Sequence, residues 1–487
     1  MHNPQGHPKA LPFLFFTEMW ERVGFYVVQG MLVLYMTQQL GYSDELSYSI
    51  LGAFSALAYI SPVVGGLLAD RVIGFKKAIV LGGILLSSGY ALLAAPWGKS
   101  FYIGLGIIII GNGFFKPNIS SLLGALYKHG NSDRDAGFTI FYIGINLGVI
   151  IAGVGSSLIR TYLNWQANFL FASIGLIIGL ITFFAAVRWG DMDYRGPFLK
   201  LKKLLITKIY ILTGCAIAVI LLSYLLQSAT LSKWIFSAVG IFLLFFMFFI
   251  AFRQDKMARN NLIVVNILIL SVVIFWMIQL QMLFSVNLFV ERLVQRQMGG
   301  FQIPTPLFYT LGSIFIITLG PLFAWLWHTL YKHKCNPSPL SKFVLGIFIV
   351  GLAPLSLAAA TLFPNAHNLI NPLWVVLSYL LVTIGELCMI PIGLAAITEL
   401  SPPHLTGMMM GIWFAGMGFG GEFAGLIAKV TSIPAYALNQ PLKQLTIYRH
   451  GFTDQAVLAF AIAIILFIIQ WALKKTLNPA NKINKLA

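Results

Sequence analysis

Glu18, Glu21 and Arg22 sit within "FFTEMWERVGFY", residues 15–26, in a long stretch that carries no other full charge. On a helix the spacings i, i+3 and i, i+4 place all three on one face. A full charge at a bilayer centre costs about 2.5–3.5 kcal/mol on insertion scales, so this face must turn toward protein and its charges must be paired. Two carboxylates and one guanidinium leave a net negative charge. The other full positive charge inside an apolar run is Lys116, in "GNGFFKPNISS", residues 111–121. Pairing Lys116 with the Glu18, Glu21 and Arg22 group brings the sum to zero. Carboxylates that share cations titrate as a unit, and protonating one of them frees a cation to hold an anionic group. Such a cluster can couple proton movement to solute movement. The competing reading is a static ion network, a role that well-packed leucines fill at lower cost.

The elements that must position these charges follow from composition. Of 487 residues, 58% are hydrophobic and 10% are Asp, Glu, Lys or Arg, against about 25% charged in soluble domains. Apolar runs long enough to cross roughly 30 Å of hydrocarbon as helices recur near 13–39, 47–69, 78–96, 101–126, 137–159, 165–187, 209–228, 234–252, 262–290, 306–330, 342–362, 372–398, 405–428 and 452–473. The sequence thus describes an all-α polytopic membrane protein with fourteen spans. With the N-terminus inside, the inward tails and loops hold 22 Lys and Arg and the outward loops hold 8. The positive-inside rule therefore places both termini in the cytoplasm. The net charge of +17 is explained by orientation and not by nucleic-acid binding. Cys215, Cys335 and Cys388 offer no disulfide framework.

The polar, basic segment 188–208 follows the sixth span, where a six-plus-six transporter divides. The next two spans, 209–228 and 234–252, carry no charged residue and are expected to face lipid. The expected domains are an N-terminal six-helix bundle (1–187), a cytoplasmic linker (188–208), two additional helices (209–252), a C-terminal six-helix bundle (253–473) and a cytoplasmic tail (474–487). Between spans 2 and 3, "GGLLADRVIGFKK", residues 65–77, resembles the loop motif of the major facilitator superfamily, with Asp70 near a helix end and Arg71, Lys76 and Lys77 in the interface.

Four segments carry a more specific resemblance, to the proton-dependent oligopeptide transporter family of the major facilitators. Glu18-x-x-Glu21-Arg22 followed by "GFY" is similar to its first-helix motif, and "GNGFFKPNISS" to its fourth-helix segment, with Lys116 at the family's lysine. "FYIGINLG", residues 141–148, resembles its fifth-helix signature, and "GELCMIPIGL", residues 385–394, its tenth-helix motif. The resemblance implies a major facilitator fold of twelve core helices plus the added pair. It also implies that Arg22 and Lys116 bind a peptide carboxylate, that Glu18 and Glu21 couple the proton, and that Glu386 meets the peptide's amino end. Tyr26, Tyr35, Tyr59, Tyr142 and Trp413 would line the pocket together with Asn146. Departures fall in the second half. Leu280 stands before Gln281 where many relatives have an acid, and Gly312-Ser313 replaces Asn-Pro. Glu422, in "GFGGEFAG", is charged where the family is usually uncharged. The second half thus reads as keeping two buried acids, Glu386 and Glu422, and no buried base. Glu422 has two readings, a replacement for the missing amino-end group, or a residue that is protonated and packed or reaches the outer interface.

The expected function is proton-coupled import of di- and tripeptides by alternating access, with a related solute and an altered amino-end subsite as the alternative. A membrane enzyme lacks its acid, base, nucleophile or metal set here, and a receptor lacks a signalling domain in these loops. No cofactor is expected beyond the proton as coupling ion. The expected partners are small peptides, protons and membrane lipids, with no nucleic acid and no obligate protein partner. The expected location is the cell membrane, in a bacterium the inner membrane.

Overall fold

The computed structural model describes residues 6–95, 100–127, 133–190, 192 and 204–477. Its helices are α1 (Leu11–Gln38), α2 (Asp44–Leu68), α3 (Phe75–Leu93), α4 (Ser100–Leu126), α5 (Arg134–Tyr162), α6 (Trp165–Trp189), α7 (Leu204–Gln227), α8 (Ala229–Phe252), α9 (Lys256–Gln279), α10 (Ser285–Leu293), α11 (Pro306–Lys332), α12 (Pro339–Ala360), α13 (Leu373–Leu400), α14 (Thr406–Ala428) and α15 (Pro441–Leu477). Helices satisfy every backbone group internally, which hydrocarbon requires. Several starts are written locally. Asn164 accepts from the Ala167 N–H at 2.8 Å, and Ser338 accepts from the Ser341 N–H at 3.3 Å ahead of Pro339. The outer strand pair Gln297–Met298 and Phe301–Gln302 turns through Gly299 and Gly300, at φ +56° and +85°, the left-handed values that a two-residue hairpin loop requires.

Among the described residues, thirteen helical runs are long and apolar enough to cross a membrane, with α9 and α10 forming one run, Lys256–Leu293. The fourteenth membrane-length helix is α1, with 28 residues, set apart by its three charges. The fourteen expected spans are all present. Two differ in outline. α15 begins at Pro441 rather than near 452, because Lys443, Arg449 and His450 end the apolar window without ending the helix. Its early turns pack inward, with Tyr448 and Phe452 against Phe289 at ring separations of 5.1 and 5.3 Å. The seventh core span breaks into a 3₁₀ turn at Leu280–Met282 before α10.

The chain forms two compact units, Met1–Tyr35 with Leu57–Leu231, and Met36–Ala56 with Ser232–Ala487. This differs from the expected six-two-six division, because the added pair does not stand as its own unit. α7 packs on α4 in the first unit, where the Ser223 hydroxyl donates to the Tyr102 carbonyl at 3.2 Å. α8 packs on α9 and α14 in the second. There the Asn266 amide donates to the Met247 carbonyl at 3.1 Å, and Phe236 meets Phe419 edge-on at 6.3 Å. The other faces of both helices are uncovered by protein, with Ile220, Leu221 and Tyr224 on α7 and Phe242, Phe245 and Phe249 on α8 exposed. Uncovered apolar faces of this kind are suited to hydrocarbon. Most of the predicted linker and residues 478–487 of the predicted tail lie outside the described residues.

Within the first unit, α2 and α4 approach as closely as backbones allow. A Cβ on Gly65 would lie 2.0 Å from the Gly113 carbonyl oxygen, so neither glycine can carry a side chain without the helices separating. Beyond α2, a π-helical turn at Ala69–Ile73 holds Asp70 and Arg71, and Gly74 reverses the chain at φ +81°. Lys76 Nζ then donates to the Met192 carbonyl at 2.6 Å, fastening the start of the basic segment to α3.

Candidate functional site

The α1 charges are buried together in the first unit. Arg22 Nε lies 3.2 Å from Glu18 Oε1 and also donates to Glu21 Oε2, so one guanidinium serves two carboxylates. The Arg22 guanidinium also stands 5.3 Å from the Phe25 ring centroid. Among the described residues, Glu18 Oε2 and Glu21 Oε1 are buried and accept no hydrogen bond. The local helical spacing created this group, and the fifth-helix signature seats it. A Cβ on Gly148 would meet the Met19 carbonyl oxygen at 2.6 Å and Arg22 Cβ at 2.7 Å. α5 therefore packs directly over the cluster, and only glycine fits there. Asn146, two residues earlier, is buried and donates to the Tyr142 carbonyl at 3.1 Å, while the Tyr142 side chain is 48% exposed.

The fourth-helix motif places Lys116 through its own polar residue. Asn112 Nδ2 donates to the Ala58 carbonyl at 2.6 Å and locks α4 to α2. One helical turn on, Lys116 Nζ sits 4.6 Å from the centroid of the Tyr59 ring, a cation–π contact. Pro117 follows and has no N–H to donate to Gly113, loosening the helix beside the lysine. Contact pairing of Lys116 with the carboxylates, expected from the charge balance, is replaced by this geometry. Among the described residues Lys116 makes no ion pair, and it attracts Glu21 and Glu18 through space. An aromatic face stabilises an ammonium without cancelling its charge or consuming its hydrogen bonds, so the lysine can lie near the acids without closing on them.

The remaining expected residues divide between surface and core. Tyr26 and Glu386 are half-buried. Gly385 presses α13 onto α12, where a Cβ would lie 2.9 Å from the Gly346 carbonyl oxygen, and this fixes the neighbouring Glu386. Tyr35 is packed among Phe101, Trp165 and Phe169 at 6.0, 5.6 and 5.0 Å. Trp413 is fully buried against Gly393 and Phe343. Both aromatics are thus packed among other side chains in this structure. Glu422, the other candidate for the amino end, lies on α14. It points with Gly416 and Phe419 toward α8 and α9, whereas Gly421, one residue earlier, faces Ser55 of α2. One residue on a helix turns the side chain by about 100°, which is enough to change its neighbours.

Two residues went unnoticed in the sequence, Asp44 and Lys342, and two named there, Gln281 and Gly312, gain surroundings that the sequence does not show. Asp44 is 4% exposed and accepts from Arg292 at 2.6 and 2.7 Å in a two-pronged pair, and from the Ile433 N–H at 2.9 Å. Gln281, at the break before α10, donates to the Ala424 carbonyl at 2.9 Å and accepts from Ser285 at 2.7 Å. These bonds occupy the place where a seventh-helix acid was missing. Lys342 is a buried base in the second half, contrary to expectation, with its ammonium 4.1 Å from the Trp327 ring centroid. Beside Gly312 the structure is open, since a Cβ there would meet nothing within 4 Å. The signal for Asp44 and Lys342 was present as charged residues at span ends, but partners far apart in the chain cannot be read from spacing.

A lipid-facing helical body with buried, titratable charges on its first helix and an arginine and a lysine beside them is a membrane transporter in architecture, not an enzyme. A model of the POT family matches residues 76–447, and the chain belongs to that family. It is 33% identical over 471 residues to dipeptide and tripeptide permease B of Xenorhabdus bovienii, covering 95% of each chain. It is 36% identical over 451 residues to peptide transporter YePEPT of Yersinia enterocolitica, covering 87% and 88%. Among solved structures it resembles a peptide transporter POT in complex with alafosfalin, with TM-score 0.84, 30% identity and coverage of 97% and 96%. It also resembles a POT family transporter in complex with 5-aminolevulinic acid, with TM-score 0.82, 27% identity and coverage of 96% and 97%.

Proposed function

We propose that the chain imports di- and tripeptides by alternating access, driven by protons, in the cell membrane with both termini cytoplasmic. It uses no cofactor beyond the proton as coupling ion. The observation that carries the reading is the α1 group, in which two buried carboxylates share one guanidinium and each keeps an oxygen without a donor. One guanidinium balances one carboxylate. The charge of the second is balanced only through space by Lys116. A proton on Glu21 or Glu18 removes that demand, and Arg22 and Lys116 then hold the carboxylate of a peptide. Lys116 is suited to this role because its present partner is the Tyr59 face and not an anion. Tyr26, Tyr142 and Asn146 accompany this subsite, and Glu386 takes the amino end. The relatives named as dipeptide and tripeptide permeases support a zwitterionic substrate of this size. The partners are small peptides, protons and lipids, with no nucleic acid and no obligate protein partner.

A second reading keeps the mechanism and changes the solute. The open space beside Gly312, where the family usually carries an asparagine, favours a substrate with a bulkier or differently charged amino end.

The test is uptake into proteoliposomes under an imposed pH gradient. Glu21→Gln should abolish gradient-driven uptake while retaining peptide exchange at equal pH, because the amide mimics the protonated state and cannot cycle. Full proton-driven uptake by this variant would refute the coupling assignment. A dipeptide panel with free and N-acetylated amino ends separates the two solute readings.

A further inference from the structure

A groove of about 350 Å3 runs between α8, α9 and α14 in the second unit. This is at the small end of ligand pockets, which span roughly 300–1,000 Å3. Its walls follow α8 from Lys233 to Met247 and α14 from Leu426 back to Ile412, a length of about 21 Å at 1.5 Å per residue. Polarity is confined to one end. Lys233, Ser237 and Glu422 sit there, and below them the lining is apolar, including Leu244, Val273 and Phe419. Glu422 is 9% exposed, and its Oε2 has no hydrogen-bond partner among the described residues. Lys429, at the end of α14, attracts Glu422 through space and forms no ion pair with it among the described residues. A carboxylate at the edge of hydrocarbon with an unfilled oxygen calls for a donor, and α8 otherwise faces lipid, so the occupant comes from the membrane.

We propose that this groove binds one phosphatidylethanolamine molecule, with its ammonium on Glu422, its phosphate on Lys233 and an acyl chain lying along α8. The charge pattern selects this headgroup. An anion and a cation at one end match a zwitterion, and an oxygen that lacks a hydrogen bond distinguishes a primary ammonium from the quaternary ammonium of choline, which has no N–H to donate. The groove's single polar end and long apolar body have the shape of one lipid and not of a peptide. This role also accounts for an acid that lies on the face toward the added helix. It stands independently of the transport reading.

The experiment uses the full chain, purified and delipidated in detergent, then titrated separately with dioleoylphosphatidylethanolamine, dioleoylphosphatidylcholine, dioleoylphosphatidylglycerol and oleylamine. Native mass spectrometry counts retained lipid. One phosphatidylethanolamine should be retained about tenfold more tightly than phosphatidylcholine, the discrimination of one charge-assisted hydrogen bond. Glu422→Gln should erase that preference, and Lys233→Gln, at an exposed position that folding tolerates, should weaken retention of phosphatidylethanolamine. Equal retention of the ethanolamine and choline lipids would overturn the proposal, as would tighter binding of phosphatidylglycerol. Oleylamine binding as tightly as phosphatidylethanolamine and indifferent to Lys233 would also overturn it, identifying a site for cationic amphiphiles.

Discussion

Asp44→Ala should loosen the end of the second unit formed by α2, α10 and the segment at Ile433. The aspartate is nearly enclosed, and its two oxygens together accept both prongs of Arg292 and the Ile433 N–H. Removing one partner of a buried ion pair costs about 3–5 kcal/mol, because the other charge is left uncompensated. The Arg292 side chain keeps 17% exposure, so water partly compensates it and about 3 kcal/mol is the expected cost, roughly a hundredfold in an equilibrium. Ser47, one turn along α2 and fully buried, is the reporter. In a Ser47→Cys background, a membrane-impermeant maleimide added from the side opposite the termini should label slowly with Asp44 present. It should label far faster with Asp44→Ala, by up to that factor. Adding Arg292→Met removes the stranded charge and should recover a large part of the protection, giving a coupling energy from the double-mutant cycle. Unchanged labelling in Asp44→Ala would refute the argument that the pair holds this end together. So would a double variant no better protected than the single one.

Gly148→Ala should sharply reduce gradient-driven uptake with normal membrane insertion, since its Cβ would press on Met19 and Arg22 at 2.6 and 2.7 Å. Uptake at the parent rate would mean that α5 yields at this point. Tyr59→Leu removes the ring beneath the Lys116 ammonium, a contact worth about 0.5–2 kcal/mol. Peptide affinity in binding titrations should shift by up to roughly thirtyfold, whereas Tyr59→Phe keeps the ring and should stay near the parent value.

What could be read from the sequence was what is local. Glu18, Glu21 and Arg22 are neighbours on one helical turn, so spacing alone made them a group, and apolar run length alone gave the spans. The glycine at 148 and the asparagine at 112 were visible as parts of motifs, although what they touch was not. Asp44 and Arg292 are separated by 248 positions, and no periodicity links them. Lys342 at the start of a span looked like an ordinary interfacial lysine, because a cation over a tryptophan on another helix leaves no trace in its own neighbourhood. Glu422 is legible as an odd charge, but the helices it faces are not, since the turn of one residue on α14 decides between α2 and α8. The added helices looked like a unit because they are adjacent in the chain. Their apolar faces instead found separate partners, α4 for one and α9 with α14 for the other.

The meeting of Gly65 and Gly113 bears on how this gene can drift. Every single-base change in a glycine codon that replaces the glycine with another amino acid adds a Cβ. At position 65 that atom would fall onto a carbonyl oxygen of the helix that carries Lys116. The α2–α4 contact beside the proposed carboxylate subsite is therefore closed to gradual change by its backbone, before any selection on chemistry is considered. Gly312 is the opposite case, a glycine with empty space around it, where the same one-base changes are sterically free. New substrate preferences in this lineage should enter through the α11 position, while the α2–α4 contact stays silent.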